Sequence, residues 1–249
     1  MSGEWQDFVR IESSPIHVSV VIPAKDESDS IGLVLTDLFK VIPDLEGYTC
    51  EVICVDDHST DKTAQVAASF GVRVISNPGR SGKGRALRVG FQAATGDVII
   101  MMDADYSHRA EDLPAMLAPL ANGAGLVIGS RIMGGSDEFT RIRALGNVFL
   151  TGIFGLCHHR YLSDALNGYK AFRRDVFTDF RYTSTSFEIE IELLVNTLRK
   201  GYRIMEVSSH ERVRQGGNAK SRVIRHGTRF LWRIFWETIR RPVRIGTHG

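Results

Sequence analysis

Val98-Ile99-Ile100-Met101-Met102-Asp103-Ala104-Asp105-Tyr106-Ser107-His108 decides the reading of the fold. Its first residues are continuously apolar, the pattern of a strand buried on both faces rather than of a half-exposed, alternating one. An acidic turn ends the run, and a helix is predicted over 111–121. Side chains two apart in an extended segment point the same way, so Asp103 and Asp105 can converge on one hard cation and on phosphates that cation carries. Asp-x-Asp alone is more often a plain turn. A second cluster, Val55-Asp56-Asp57-His58-Ser59-Thr60-Asp61, follows another mainly apolar run and repeats the arrangement. Open α/β sheets bind ligands at the carboxyl ends of their strands, where both clusters fall.

The same β-then-α unit recurs outward from this stretch. Val18-Ser19-Val20-Val21-Ile22 ends at Pro23 and precedes a helix marked by Ile31, Leu35, Leu38 and Phe39, capped by Asp26 or Ser28. Strand 50–55 with helix 61–70, strand 72–76 with helix 83–94, strand 97–102 with helix 111–121, and strand 125–129 continue the series. Strands alternating with helices predict an α/β fold, a Rossmann-like, mostly parallel sheet covered by helices on both faces. Right-handed crossovers then put every strand's carboxyl end on one edge. After Arg131 the rhythm changes: an amphipathic run at 141–157, a strand over 165–173, a helix from Ser186 to Lys200 and a strand from Arg203 to Val207.

The 249 residues, 43% hydrophobic, suffice for one sizeable core and exclude a disordered chain. The net charge of +2 conceals an asymmetry, since residues 200–249 carry 12 Lys/Arg against 3 Glu, after 19 basic and 26 acidic residues. A basic end implies a partner bearing phosphates. Cys50, Cys54 and Cys157 make no disulfide framework and read as small core residues in a reducing compartment. Met1 to Ser14 lacks a signal-peptide pattern and no segment has the roughly 18–20 apolar residues of a membrane span, which predicts a cytoplasmic protein.

Several motifs carry chemistry. Asn77-Pro78-Gly79-Arg80-Ser81-Gly82-Lys83-Gly84 is glycine-rich before a helix, yet Gly84 stands where a Walker A loop needs Ser or Thr, so it reads as a turn that aims Lys83 at phosphates. Gly129-Ser130-Arg131 ends a strand with a guanidinium suited to phosphate, a surface ion pair being the plainer alternative. Arg141 and Arg143 follow, and Arg214-Gln215-Gly216-Gly217-Asn218-Ala219-Lys220 adds cations on a glycine hinge fit for a lid. Glu188 and Glu192 share a helix face while Glu190 points elsewhere; one face addresses a site and the other is solvated or capping. Arg222, Arg225, Arg229 and Arg233 form one stripe of a C-terminal helix rich in Trp and Phe, the composition of an interfacial membrane anchor, with a helix docked on the domain as the competing reading.

In this order and spacing, residues 21–27, 55–61, 77–86, 102–108, 129–131, 163–173 and 214–220 resemble family 2 glycosyltransferases of the GT-A fold, and among them the dolichyl-phosphate mannose synthases and related polyprenyl-phosphate glycosyltransferases. The resemblance spans residues 17–222. It implies a GT-A nucleotide-diphospho-sugar transferase domain over 15–210, followed by a basic flexible loop and amphipathic helix over 211–249. Pro23, Ala24 and Glu27 would line the nucleotide pocket with Asp56 and Asp57, one of which holds base or ribose. Asp103, Asp105 and Ser107 would serve a Mg²⁺ or Mn²⁺ ion, with Asp103 and Ala104 also touching the donor. Arg131, with Arg141 or Arg143, would bind an acceptor phosphate; Lys83, Arg214 and Lys220 would meet the donor diphosphate.

Transfer of a hexose, mannose or glucose, from a nucleotide sugar to a polyprenyl phosphate by inverting displacement is the expected reaction, with Asp103, Asp105 and Arg131 as its catalytic set. The expected setting is peripheral, on the cytoplasmic face of a membrane through the C-terminal helix, with room for a membrane partner subunit. A soluble transferase acting on a hydroxyl is the alternative, and it requires a carboxylate base for which Asp164 and Glu190 are candidates. A non-catalytic basic nucleotide- or nucleic-acid-binding protein is the third class. The paired aspartates argue against it, and no nucleic acid partner is expected.

Overall fold

The computed structural model describes residues 14–138, 140–215 and 223–240. Strands β1 (Ile16–Ala24), β2 (Tyr48–Asp56), β3 (Arg73–Ser76), β4 (Val98–Met101), β5 (Ala124–Ser130), β6 (Lys170–Arg173) and β7 (Arg203–Ser208) form one sheet in the order β3-β2-β1-β4-β6-β5-β7. All four residues of β4 and all seven of β5 are buried, as continuous apolar runs require. The helices are α1 (Ile31–Val41), α2 (Thr63–Ser69), α3 (Lys83–Ala93), α4 (Leu113–Ala121), α5 (Arg131–Gly134), α6 (Arg141–His158), α7 (Asp175–Thr178), α8 (Ile189–Arg199) and α9 (Val223–Arg240).

The sheet separates two apolar clusters. One gathers residues of α1 and α4, such as Leu35, Leu38 and Met116; the other gathers α3, α6, α8 and α9 through Phe91, Phe154, Leu194 and Ile234. Helix α1 buries Ile31, Val34, Leu35 and Leu38 at helical spacing, whereas Phe39 lies outward and stacks on Phe70. No side-chain hydrogen bond caps that helix at Ser30; Asp26 instead accepts from the backbone and hydroxyl of Thr60, tying the first strand-end loop to the second.

One strand breaks the expected rule. β6 is antiparallel to both β4 and β5 and covers only the last part of the predicted 165–173 strand. Its direction follows from the connection: β5 ends at the carboxyl edge, α5 and α6 succeed it, and β6 is entered at that same edge, with Lys170 opposite Met101 and Ile128. Residues 163–169 are therefore drawn into the site. Asn167 satisfies their backbone, donating to the Gly129 carbonyl and accepting from the Tyr169 N–H.

Helix α9 corrects a second expectation. Its Arg229 pairs with Glu188 (2.7 Å), and Arg233 with Glu192 (3.1 Å) and Glu237 (3.0 Å). Phe230 and Ile234 are buried with them, so this half of the arginine stripe docks inward on α8, and Glu188 and Glu192 are not solvated. Buried carboxylates demand cationic partners, and that demand sets the helix rotation. Arg222 and the Arg225 side chain lie outside the described residues. What α9 turns outward is Trp232, Phe235, Trp236 and Ile239. Among the described residues no helix is long and apolar enough to cross a membrane.

Candidate active site

At the carboxyl edge the loops after β1, β2 and β4 enclose a cavity of about 410 Å³. Pro23, Ala24 and Glu27 form one wall and Asp57 another. Asp57 is almost fully buried and accepts from Asn77 Nδ2 (2.6 Å), Ser81 Oγ (2.9 Å) and the Gly82 N–H (2.8 Å). Asp56 remains in its own turn, accepting from the Ser59 N–H, and does not line the cavity. Glu27 accepts from the Ser30 hydroxyl (3.1 Å), so its carboxylate also holds the loop.

A smaller cavity of about 200 Å³ adjoins the first, and Lys83, Asp103, Asp105, Phe187 and Arg214 border both. The paired aspartates thus stand at the junction. They sit on a turn rather than on extended strand, since β4 stops at Met101 and Tyr106 has φ of 67°. Each carboxylate holds its own cation: Lys83 Nζ lies 2.7 Å from Asp103, and an Arg214 terminal nitrogen 2.9 Å from Asp105. Burial alone would raise the pKa of Asp103, but the Lys83 ammonium overrides it and keeps the group ionised. Asp103 and Glu190 (3.5 Å) likewise hold the buried Lys83 charged, over the Phe187 ring.

Two glycines make this packing feasible. A Cβ on Gly84 would lie 2.5 Å from the Ser186 carbonyl oxygen, so the Ser or Thr of a Walker A loop has no room there. A Cβ on Gly168 would crowd Lys83 Nζ at 3.0 Å and Asp103 Oδ2 at 3.1 Å. Ser107, expected at the metal, donates through both N–H and hydroxyl to Asp105 Oδ1 (3.1 and 2.6 Å) and so orients that carboxylate. His108 accepts from the Asp103 N–H, stacks on Tyr169 and, being buried, has its pKa lowered.

The smaller cavity is built by long-range ion pairs. Arg131 grips Asp164 with Nε (2.8 Å) and a terminal nitrogen (2.9 Å) and reaches Glu211 (3.1 Å) with the other. The plainer expectation, an ion pair, describes this fork, although it is buried rather than at the surface. Asp164 also accepts from Asn147, and its pKa is lowered: burial opposes ionisation but Arg131 prevails. A carboxylate so held is no base, which removes Asp164 from that role. Glu190 differs, with its pKa raised by burial and its Oε2 without a hydrogen-bond partner among the described residues. Of the two arginines on α6, Arg143 lines the cavity, 3.9 Å from Glu138; the Arg141 side chain lies outside the described residues. So does Lys220, and with it most of the proposed hinge.

Sequence reasoning missed Glu138, Glu211 and Phe187, none of which stands in a spacing that signals a site, and gave no role to His108, although it closes the 102–108 motif. It also missed Arg212, which pairs with Asp37 (2.9 Å) and Glu111 (3.0 Å) over the Tyr106 ring and staples residues 212–215 to the aspartate turn. Among the described residues no three His, Cys, Asp or Glu side chains converge as a metal cage. Two hard carboxylates on one turn nevertheless fit a Mg²⁺- or Mn²⁺-type ion whose remaining ligands come from phosphates and water.

The profile of Glycosyl transferase family 2 matches residues 19–181. Glycosyltransferase AglJ of Haloferax volcanii is 32% identical over 192 residues, 76% of this chain and 61% of that protein. Dolichol-phosphate mannosyltransferase of Pyrococcus furiosus is 31% identical over 232 residues, 88% of this chain and 64% of that protein. The chain spans less than two thirds of the length of either relative. Among solved structures, glucosyl-3-phosphoglycerate synthase of Mycobacterium tuberculosis, in complex with Mn²⁺, uridine diphosphate and phosphoglyceric acid, matches with a TM-score of 0.72 at 23% identity. The match covers 91% of this chain and 80% of that one, a likeness of fold.

Proposed function

The chain belongs to glycosyl transferase family 2 with a GT-A fold, and we propose that it transfers a hexose from a nucleotide-diphosphate sugar to a polyprenyl phosphate at a membrane surface. The observation that carries this reading is the setting of the smaller cavity. Residues of α6 and α9, Asn147 and Phe230 among them, line it beside Arg131 and Arg143, while the outward faces of the same helices are apolar. Ile142, Leu145, Phe149 and Leu156 of α6 and Trp232, Trp236 and Ile239 of α9 are all exposed. A charged hole rimmed by apolar helices suits an acceptor with a phosphate head and a hydrocarbon tail. Membrane contact in this reading runs through the aromatic face of α9, not through its arginines.

The larger cavity takes the donor, with Asp57 toward the nucleoside and Pro23, Ala24 and Glu27 shaping its floor. Asp103 and Asp105 hold the divalent ion, which when bound offsets charge developing on the departing diphosphate. Lys83 and Arg214, which border the same cavity, would meet the diphosphate. Arg131, gripped by two carboxylates, shapes the acceptor pocket, while Arg143 meets the acceptor's phosphate. A phosphate acceptor is already anionic and needs no base; a single displacement inverts the anomeric carbon.

One feature favours a second reading, transfer to a hydroxyl acceptor: Glu190, buried, with its pKa raised, is equipped as a base. Incubation with Mg²⁺ or Mn²⁺, a panel of nucleotide sugars and either short polyprenyl phosphates or water-soluble alcohols separates the two. A lipid-linked sugar is the expected product; transfer to soluble acceptors alone overturns the lipid reading.

A further inference from the structure

A cleft of about 680 Å³ lies between α3, residues 77–79 and the segment 174–182, apart from both cavities described above. Four arginines, Arg85, Arg88, Arg174 and Arg181, reach it from two stretches of chain, and among the described residues no carboxylate lines it. This sets them apart from Arg131, Arg199, Arg212, Arg214, Arg229 and Arg233, each ion-paired within 4.0 Å. Among the described residues none of the four cleft arginines makes an ion pair. Three are oriented instead by a backbone carbonyl: Arg85 by Ser81 (3.1 Å), Arg88 by Tyr182 (2.9 Å) and Arg174 by Thr95 (3.1 Å).

The cleft floor is apolar. Phe91 packs edge-on against Phe177 (5.2 Å), Phe177 lies 4.9 Å from Tyr182, and Val89 and Phe180 are half-buried beside them. Four uncompensated guanidiniums over an aromatic floor attract an anion with a flat or apolar portion. The volume is that of a small-ligand pocket, which typically spans about 300–1,000 Å³. We propose that this cleft is a second binding site, for an organic phosphate. Its wall is shared with the donor cavity, because Asn77 lines the cleft and donates to Asp57. A bound phosphate that engages Asn77 alters the grip on Asp57 and changes donor KM.

Equilibrium dialysis of labelled ADP in EDTA tests the site, since chelation withholds the ion on which donor binding rests. The expected result is metal-independent uptake by the wild type and by Asp105→Asn. Arg181→Glu and Arg88→Met, shown folded by circular dichroism, should each weaken it by about tenfold or more. Equal uptake by cleft variants and wild type, loss in Asp105→Asn, or no uptake at millimolar ADP overturns the proposal. So does cleft-dependent binding of anionic vesicles or an oligonucleotide without binding of ADP. In steady-state transfer, ADP should shift donor KM more in the wild type than in Arg181→Glu; an equal shift removes the coupling.

Discussion

The two halves of the candidate active site are built by different means. The larger cavity is made mainly of strand-end loops from the first 105 residues, each close in sequence to the strand that carries it and tied by hydrogen bonds such as those converging on Asp57, with Ser186, Phe187 and Arg214 closing one side. The smaller one is assembled from distant parts: Arg131 with Asp164 and Glu211, and Phe230 of α9, a helix docked on α8 by Arg229 and Arg233. The first kind of construction fixes where chemistry happens, because the parallel sheet places its loops. The second kind fixes what is admitted, because it depends on a few exchangeable charges.

The largest test of that contrast is Asp105→Asn. It should lower transfer by on the order of 10²–10³-fold or more whichever acceptor is used, since it strikes the part both readings share. Unchanged turnover in a coupled nucleotide-release assay would show that the junction is not the reacting centre. Arg131→Met should instead act on the scaffold, leaving Asp164 buried without its cation and costing about 3–5 kcal/mol of stability by denaturant unfolding. A loss confined to activity, with stability intact, would move Arg131 from the framework to the acceptor.

His158, between α6 and α9, supplies a smaller effect with a defined sign. Burial pushes its pKa down from 6.5 to about 4, helped by the nearby Arg199 charge. The unfolded chain therefore takes up the proton first, and stability present above pH 6.5 is lost as the pH falls toward 4. The expected loss is about 2–3 kcal/mol. His158→Gln should flatten the stability profile across that window; an unaltered slope would mean the α6–α9 junction is open to water. Leu145→Glu with Trp236→Glu, both on exposed faces, should weaken binding to anionic vesicles by about tenfold while sparing the fold. Unaltered vesicle binding would detach the apolar faces from any membrane role.

The same division decides what could be read from the sequence. β1, β2, β4 and β5 and their helices were legible because a buried parallel strand reads as an apolar run and each is followed by helical spacing, while β3, on the sheet edge with Arg73 and Ser76 exposed, was legible from its place between two helical stretches. Asp57, Asp103 and Asp105 were legible because they stand at the ends of such runs. The direction of β6 was not: Lys170–Arg173 is too short to carry a pattern, and its orientation is set by which edge the preceding helix occupies. The rotation of α9 was hidden for a different reason. Arginines and aromatics at helical spacing define two faces, but which face turns inward depends on Glu188 and Glu192, some forty residues earlier. The choice between Asp56 and Asp57 rested on donors from another loop, Asn77, Ser81 and Gly82.

Lys83 and Arg214 give the aspartate turn one further property. Two negative charges are met by two positive ones before any donor arrives, so the junction is an internal salt rather than an open acidic pit. On the proposed function, loading it would be an exchange: Asp103 and Asp105 would give up their organic cations to hold a metal, and Lys83 and Arg214 would exchange carboxylate for diphosphate. Because no net charge is created, donor affinity should depend only shallowly on ionic strength, far less than the four charges would suggest if they stood alone.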